Sequence, residues 1–188
     1  MPPDTARHIL HLDSAKRRER TDTPVQNREC IAMDEFLEEI EVSAAMEARE
    51  RGLSLTVVRM DGDVAVEADR QILTSVVANL LQNAFKFTRP DGHVALRSSA
   101  DADRVRMEVE DECGGLPPGD PRALFLPFEQ RGGDRTGLGL GLAISHRGVE
   151  ASGGVLEVRD IPGTGCVFTI DLPRAAVPAE ARLAEALA

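Results

Sequence analysis

The 188 residues leave room for one domain with short tails. A net charge of −10 repels a phosphate backbone, and an aromatic share of 3%, with neither Trp nor Tyr, leaves no platform for stacking bases, so nucleic-acid binding is excluded. The apolar share of 42% suits an ordinary core, while no run reaches the roughly 20 apolar residues of a membrane helix and Met1 to Glu19 lacks the apolar stretch of a secretory signal. A soluble, cytoplasmic protein without a membrane segment is expected. Cys30, Cys113 and Cys166 are odd in number and far apart, which excludes a disulfide framework and a zinc ribbon.

Residues 1–32 are polar, with a basic knot at Lys16, Arg17, Arg18 and Arg20, and read as a frayed helix and linker. From Asp34 to Arg51, Phe36, Leu37, Ile40, Ala44 and Ala48 recur at helical steps, and Gly52 stops the helix. Leu53 to Arg59 alternates as a strand does. Asp69 to Thr88 is a second, longer helix, ended by the turn signal Arg89-Pro90-Asp91-Gly92. Two alternating strands follow, His93 to Ser99 and Arg104 to Glu110. The glycine- and proline-rich stretch Cys113 to Thr136 is too long for a plain connection, which marks it as functional. A helix over Gly141 to Ser152 and a hairpin of Val155 to Arg159 with Cys166 to Leu172 close the domain. An Ala-rich tail lies beyond Pro173. Strands and helices mix without β-α-β alternation, predicting an α+β fold with a mixed sheet and its helices on one face.

Three segments carry chemistry. On the long helix, Ser75, Asn79, Gln82, Asn83 and Lys86 share one face, with Leu73, Val76, Val77, Leu80, Leu81, Ala84 and Phe87 across from it. Asparagine is a poor mid-helix residue, and its neutral oxygen suits a Mg²⁺ whose charge is met mainly by phosphate. Taken alone, the face also suits plain solvation. In the second segment, Asp111 continues the inward parity of Val105, Met107 and Val109, so its carboxylate needs donors. An adenine amino group would serve, and so would the turn that follows. In the third, Gly137-Leu138-Gly139-Leu140-Gly141 opens a helix whose free amides favour phosphate. It is neither a dinucleotide fingerprint nor a P-loop.

In order and content these segments resemble the sensor histidine kinases. Asn79 to Thr88 looks like their N box, Asp111 to Gly115 like the G1 box, Phe125-Leu126-Pro127-Phe128 like the F box and Gly137 to Gly141 like the G2 box. The resemblance covers about residues 33–173, the catalytic ATP-binding domain of the gyrase/Hsp90/histidine kinase/MutL superfamily. It implies a two-layer α/β sandwich of the Bergerat type with a mobile ATP lid, with residues 1–32 as a stub and 174–188 as a tail.

By that resemblance Asn83 would hold Mg²⁺, Asn79 would support the phosphates and Lys86 would contact one of them. Phe87 would flank the nucleotide and Asp111 would read adenine, with Gly115 making room for the ring. Gly137, Leu138, Gly139, Leu140 and Gly141 would form the lid and cradle the phosphates, and Phe125 and Phe128 would anchor it. Two departures stand out: Cys113 replaces the first G1 glycine, and Leu138 the usual G2 threonine. Hydrolysing members carry a Glu four residues before the magnesium Asn. That position here is Asn79, which is no base.

The implied function is transfer of the ATP γ-phosphoryl group to a histidine on a dimerisation hairpin, supplied in trans, with a response regulator downstream and a monomer in isolation. His8 and His11 do not match the family's acceptor pattern, and His93 and His146 read as structural or exposed. A serine kinase of the anti-sigma type and a non-catalytic nucleotide-binding interaction module are the alternatives.

Overall fold

A computed structural model describes residues 27–128 and 139–176. The expectations for His8, His11, the basic knot, Gly137, Leu138 and the Ala-rich tail fall outside these residues. In chain order the elements are β1 (Arg28–Ala32), α1 (Met33–Glu50), β2 (Ser54–Val58), β3 (Ala65–Asp69), α2 (Arg70–Phe87), β4 (His93–Ala100), β5 (Arg104–Asp111), a 3₁₀ turn (Pro121–Phe125), α3 (Gly141–Ala151), β6 (Val155–Ile161) and β7 (Gly165–Ala175).

The strands form one seven-stranded sheet in the order β1-β3-β7-β5-β4-β2, with β6 also on β7. Only β2 and β4 run parallel among these pairs. The sheet is a mixed, mostly antiparallel one under a helical layer, as an α+β sandwich requires. Its inner face is read most easily on β5, where Val105, Met107, Val109 and Asp111 are all buried and the residues between them are not. These apolar residues meet Phe36 and Leu37 of α1 and Val77 and Leu80 of α2, with Ile170 and Leu172 of β7, in one cluster. Asp69 caps α2 by accepting from the Ile72 N–H at 3.1 Å, which satisfies one of the free amides at the helix start.

Two strands overturn the linker reading of the flanks. Residues 28–32 are β1, paired antiparallel with β3 from Arg28↔Asp69 to Ala32↔Ala65. β7 runs on past Pro173, so that Arg174 and Ala175 pair with Val66 and Ala65. The sheet therefore overruns both expected boundaries, 33 and 173.

Candidate functional site

α2 carries the amide face. Asn79, Asn83 and Lys86 are half-buried on one side of it, while Leu73, Val76, Val77, Leu80, Leu81 and Ala84 are buried on the other. Phe87 is a correction: it is 43% exposed, and Phe85 takes the buried place instead. Phe87 is the last residue of α2, where the apolar arc runs out past the core. Its ring lies 5.0 Å from Lys86 Nζ, a cation–π contact.

Asn79 locks α2 to α3. Its Nδ2 donates to Ser145 Oγ at 3.0 Å, and Ser145 is 2% exposed. A Cβ at Gly141 would stand 2.5 Å from Asn79 Oδ1, so only glycine lets the first residue of α3 come this close. Leu140, the residue before α3, makes no side-chain cap, and the start of a helix is where amides meet an anionic ligand. Gly139, just upstream, has φ +65° and accepts from the Phe128 N–H at 3.0 Å, joining the two ends of segment 129–138.

Asp111 ends β5 and is 4% exposed. Its Oδ1 accepts from the Cys113 N–H at 3.0 Å and the Cys166 N–H at 3.1 Å, and the Cys166 thiol donates to Oδ2 at 3.2 Å. These bonds fix the carboxylate's plane. Cys113 does not take a left-handed backbone; the strain moves to Gly114 (φ +88°) and Gly115 (φ +104°), where glycine meets it without cost. Gly115 also packs against the β6–β7 turn, for a Cβ there would lie 3.3 Å from Gly163 N. Leu116 N–H donates to Asp160 Oδ1 at 2.7 Å, tying the loop to β6. Glu112 faces the other way. It accepts from the His93 N–H at 3.2 Å and pairs with Arg89 at 3.1 Å, which ties the loop to the end of α2.

The thiols beside Asp111, Cys113 on the loop and Cys166 on β7, both sit above their ordinary pKa. Burial raises Cys113, helped by the Asp111 carboxylate. Burial again comes first for Cys166, followed by the charge of Asp111 and by Cys113.

Of the two phenylalanines, Phe125 is half-buried against the core. Its ring stacks on His146 of α3 with centroids 5.0 Å apart and meets Phe168 edge-on at 6.5 Å. Phe128 is 74% exposed with φ +65°, so it holds the segment's end by its backbone and not by its ring. His146 also pairs with Glu150 at 3.4 Å, and His93 bonds Thr56 at 2.9 Å, both local contacts.

Asn79, Gly139, Leu140 and Gly141 thus gather around the start of α3, Phe125 packs on its middle through His146, and Asp111 and Gly115 meet the β6–β7 turn. Ser145 and Cys166 join them unannounced by the sequence. A helix-spacing argument from Gly141 would have found the first, and the register Asp111↔Cys166 is the signal for the second.

Residues 68–176 match the family described as histidine kinase-, DNA gyrase B- and HSP90-like ATPases, and the chain belongs to that family. Within it the likeness is to sensor histidine kinases. The chain is 39% identical to the sensor protein TorS of Escherichia coli over 118 residues, which is 63% of this chain and 13% of TorS. Among solved structures, the catalytic domain of histidine kinase ThkA superposes with a TM-score of 0.69 at 27% identity, over 79% of this chain and 98% of that one. ShkA, solved full-length in complex with AMPPNP, gives 0.72 at 30% identity over 82% of this chain and 32% of its own. The chain thus spans about an eighth of the length of TorS but almost the whole of an isolated histidine kinase catalytic domain.

Proposed function

We propose that this domain binds Mg²⁺-ATP and transfers the γ-phosphoryl group to a histidine on a helical hairpin, with a response regulator as the next acceptor. The observation that supports the reading is the buried carboxylate of Asp111, oriented by two backbone N–H groups at the end of β5. The helix α2, whose amide and lysine face holds no carboxylate, packs against both β5 and α3 and is bonded to α3 through Asn79 and Ser145. ShkA was solved with AMPPNP and ThkA with its response regulator TrrA, which supports the same ligand class and partner here.

The donor set suits magnesium, because neutral amide oxygens fit a small hard cation that keeps phosphate and water as its other ligands. When bound, the ion neutralises charge building on the phosphates. Asn83 would hold it. Asn79, bonded to Ser145, holds the start of α3 in place for the phosphates, Lys86 adds positive charge, and the amides from Gly137 to Gly141 complete the cradle. Asp111 accepts from the adenine amino group, Gly115 leaves room for the ring and Phe87 flanks it. Phe125, fixed on His146, and Phe128, through Gly139, anchor the segment between them. Asn79 cannot take a proton from water, which favours transfer to a protein over hydrolysis.

The test is labelled-ATP transfer to a separately supplied hairpin bearing the acceptor histidine, with Asn83→Ala as control. Acid-labile, base-stable label on the hairpin, rising with hairpin concentration and lost in Asn83→Ala, is expected. Acid-stable label would point to serine, and tight nucleotide binding without transfer to a non-catalytic module. Either outcome contradicts the proposal.

A further inference from the structure

Asp111, Cys113 and Cys166 place three metal-ligating atoms within 4.8 Å of one another. Asp111 ends β5, Cys113 lies on the loop that follows and Cys166 stands at the start of β7, and the register Asp111↔Cys166 brings them together. We propose that this cluster is a binding site for a thiophilic divalent cation of the zinc class, and that the cation and the adenine nucleotide exclude one another.

The spacing is what a tetrahedral ion needs. With Zn–S bonds of about 2.3 Å and a Zn–O bond of about 2.0 Å, tetrahedral angles set the S···S edge at about 3.8 Å and the S···O edge at about 3.5 Å. The Cys113 Sγ to Cys166 Sγ distance is 3.9 Å, and Cys166 Sγ lies 3.2 Å from Asp111 Oδ2. The third edge, from Cys113 Sγ to the carboxylate, lies within 4.8 Å, so rotation of the Cys113 side chain toward Asp111 is what closes the site around an ion.

The carboxylate is already oriented, because Oδ1 accepts two backbone N–H groups and Oδ2 is left to face the thiols. Such fixing of a ligand's plane by backbone donors is the usual support of a metal site. Thiolate sulfur selects zinc and its soft relatives over magnesium, so the site does not compete for the ion that the phosphates bring. Binding exchanges two thiol protons for the cation and leaves the cluster with one net negative charge. Three protein ligands leave a fourth position for water, reached from the partly exposed side of Cys113.

Exclusion of nucleotide rests on the reading of Asp111 as the adenine acceptor: an oxygen that ligates the cation is lost to the amino group. Mutual antagonism is then required, since coupling between two ligands is reciprocal.

The experiment titrates the reduced full chain with Co²⁺, a spectroscopic stand-in for zinc, and then displaces it with Zn²⁺. One equivalent should produce thiolate-to-cobalt charge-transfer absorption in the near ultraviolet and tetrahedral visible bands, bleached by Zn²⁺. Cys113→Ser, at a half-exposed loop position that leaves the fold standing, should weaken Co²⁺ binding at least tenfold. Cys30→Ser, at the exposed third cysteine, should leave it unchanged. No charge-transfer band in the wild type, a band carried equally by Cys113→Ser, or one lost in Cys30→Ser overturns the site. A second arm adds adenosine, which has no phosphates to strip the metal, to the Co²⁺-loaded chain, and the band should fall as the nucleoside binds. A normal band that adenosine binds beside without effect overturns the exclusion and Asp111's adenine role, while the metal site stands.

Discussion

Asp111 shows how much one residue's setting depends on its neighbours' size. A Cβ on Gly165 would fall 1.7 Å from the Asp111 carbonyl oxygen, so β5 and β7 meet here only because position 165 has no side chain. The thiols around the carboxylate are held protonated by burial and by its charge, which slows their attack on electrophiles. Exposed Cys30 should therefore react first with a thiol reagent and half-buried Cys113 much later. Mg²⁺-ATP should slow Cys113 further, as peptide mass mapping would register. Equal Cys113 rates with and without nucleotide would contradict its place beside the bound ligand. Far from the site, Asp101 is pulled below its ordinary 3.8 by the backbone N–H groups of Asp103 and Arg104, with Arg106 adding to them. A depressed carboxyl stabilises the fold above its unfolded pKa and loses that contribution as pH falls through the folded value. The stability difference between wild type and Asp101→Asn should therefore be present at neutral pH and fade below 3.8. Urea midpoints across that range measure it, and a constant difference would contradict it.

At the scale of elements, the meeting of α2 and α3 is what builds the site. Gly141→Ala would set a methyl 2.5 Å from Asn79 Oδ1, and the amide yields only by giving up Ser145 Oγ. The expected cost is that of overpacking, about 1–3 kcal/mol, read as a lower denaturant midpoint with unchanged slope. In an Asn79→Ala background the same change should cost clearly less, because the obstacle is gone. Additive losses would mean that the two helices do not meet through this pair. The two long helices are legible from periodicity because each spans 18 residues with several buried apolar positions. β1 and β3 are not. Each is five residues long, β1 buries Ile31 alone, and β3 buries small Ala65 and Ala68 beside Val66. Their pairing is non-local and leaves no local pattern. The inward parity of Asp111 is legible because it continues an unbroken alternation along β5. Phe87 misleads for the opposite reason, since a helical wheel does not record where the core ends.

For the whole molecule, strand ends of the sheet carry Asp111 and Cys166 while α2 carries the amide face. Among the described residues no helix is long and apolar enough to cross a membrane, and the fold is that of isolated histidine kinase catalytic domains. A ligand that binds only the folded chain stabilises it by about 2.7 kcal/mol at 100 times its Kd, so nucleotide affinity is also readable as a thermal shift. The most direct measurement is a calorimetric titration of Mg²⁺-ATP into the wild type, Asp111→Asn and Asn83→Ala. One site per chain is expected in the wild type. Loss of a hydrogen bond to a charged group, worth about 1.5–3 kcal/mol, should weaken Asp111→Asn by roughly 10- to 150-fold, and Asn83→Ala should lose the dependence of affinity on magnesium. Binding by both variants as tight and as magnesium-dependent as the wild type's, or no binding by the wild type, would contradict the assignment of this site to ATP.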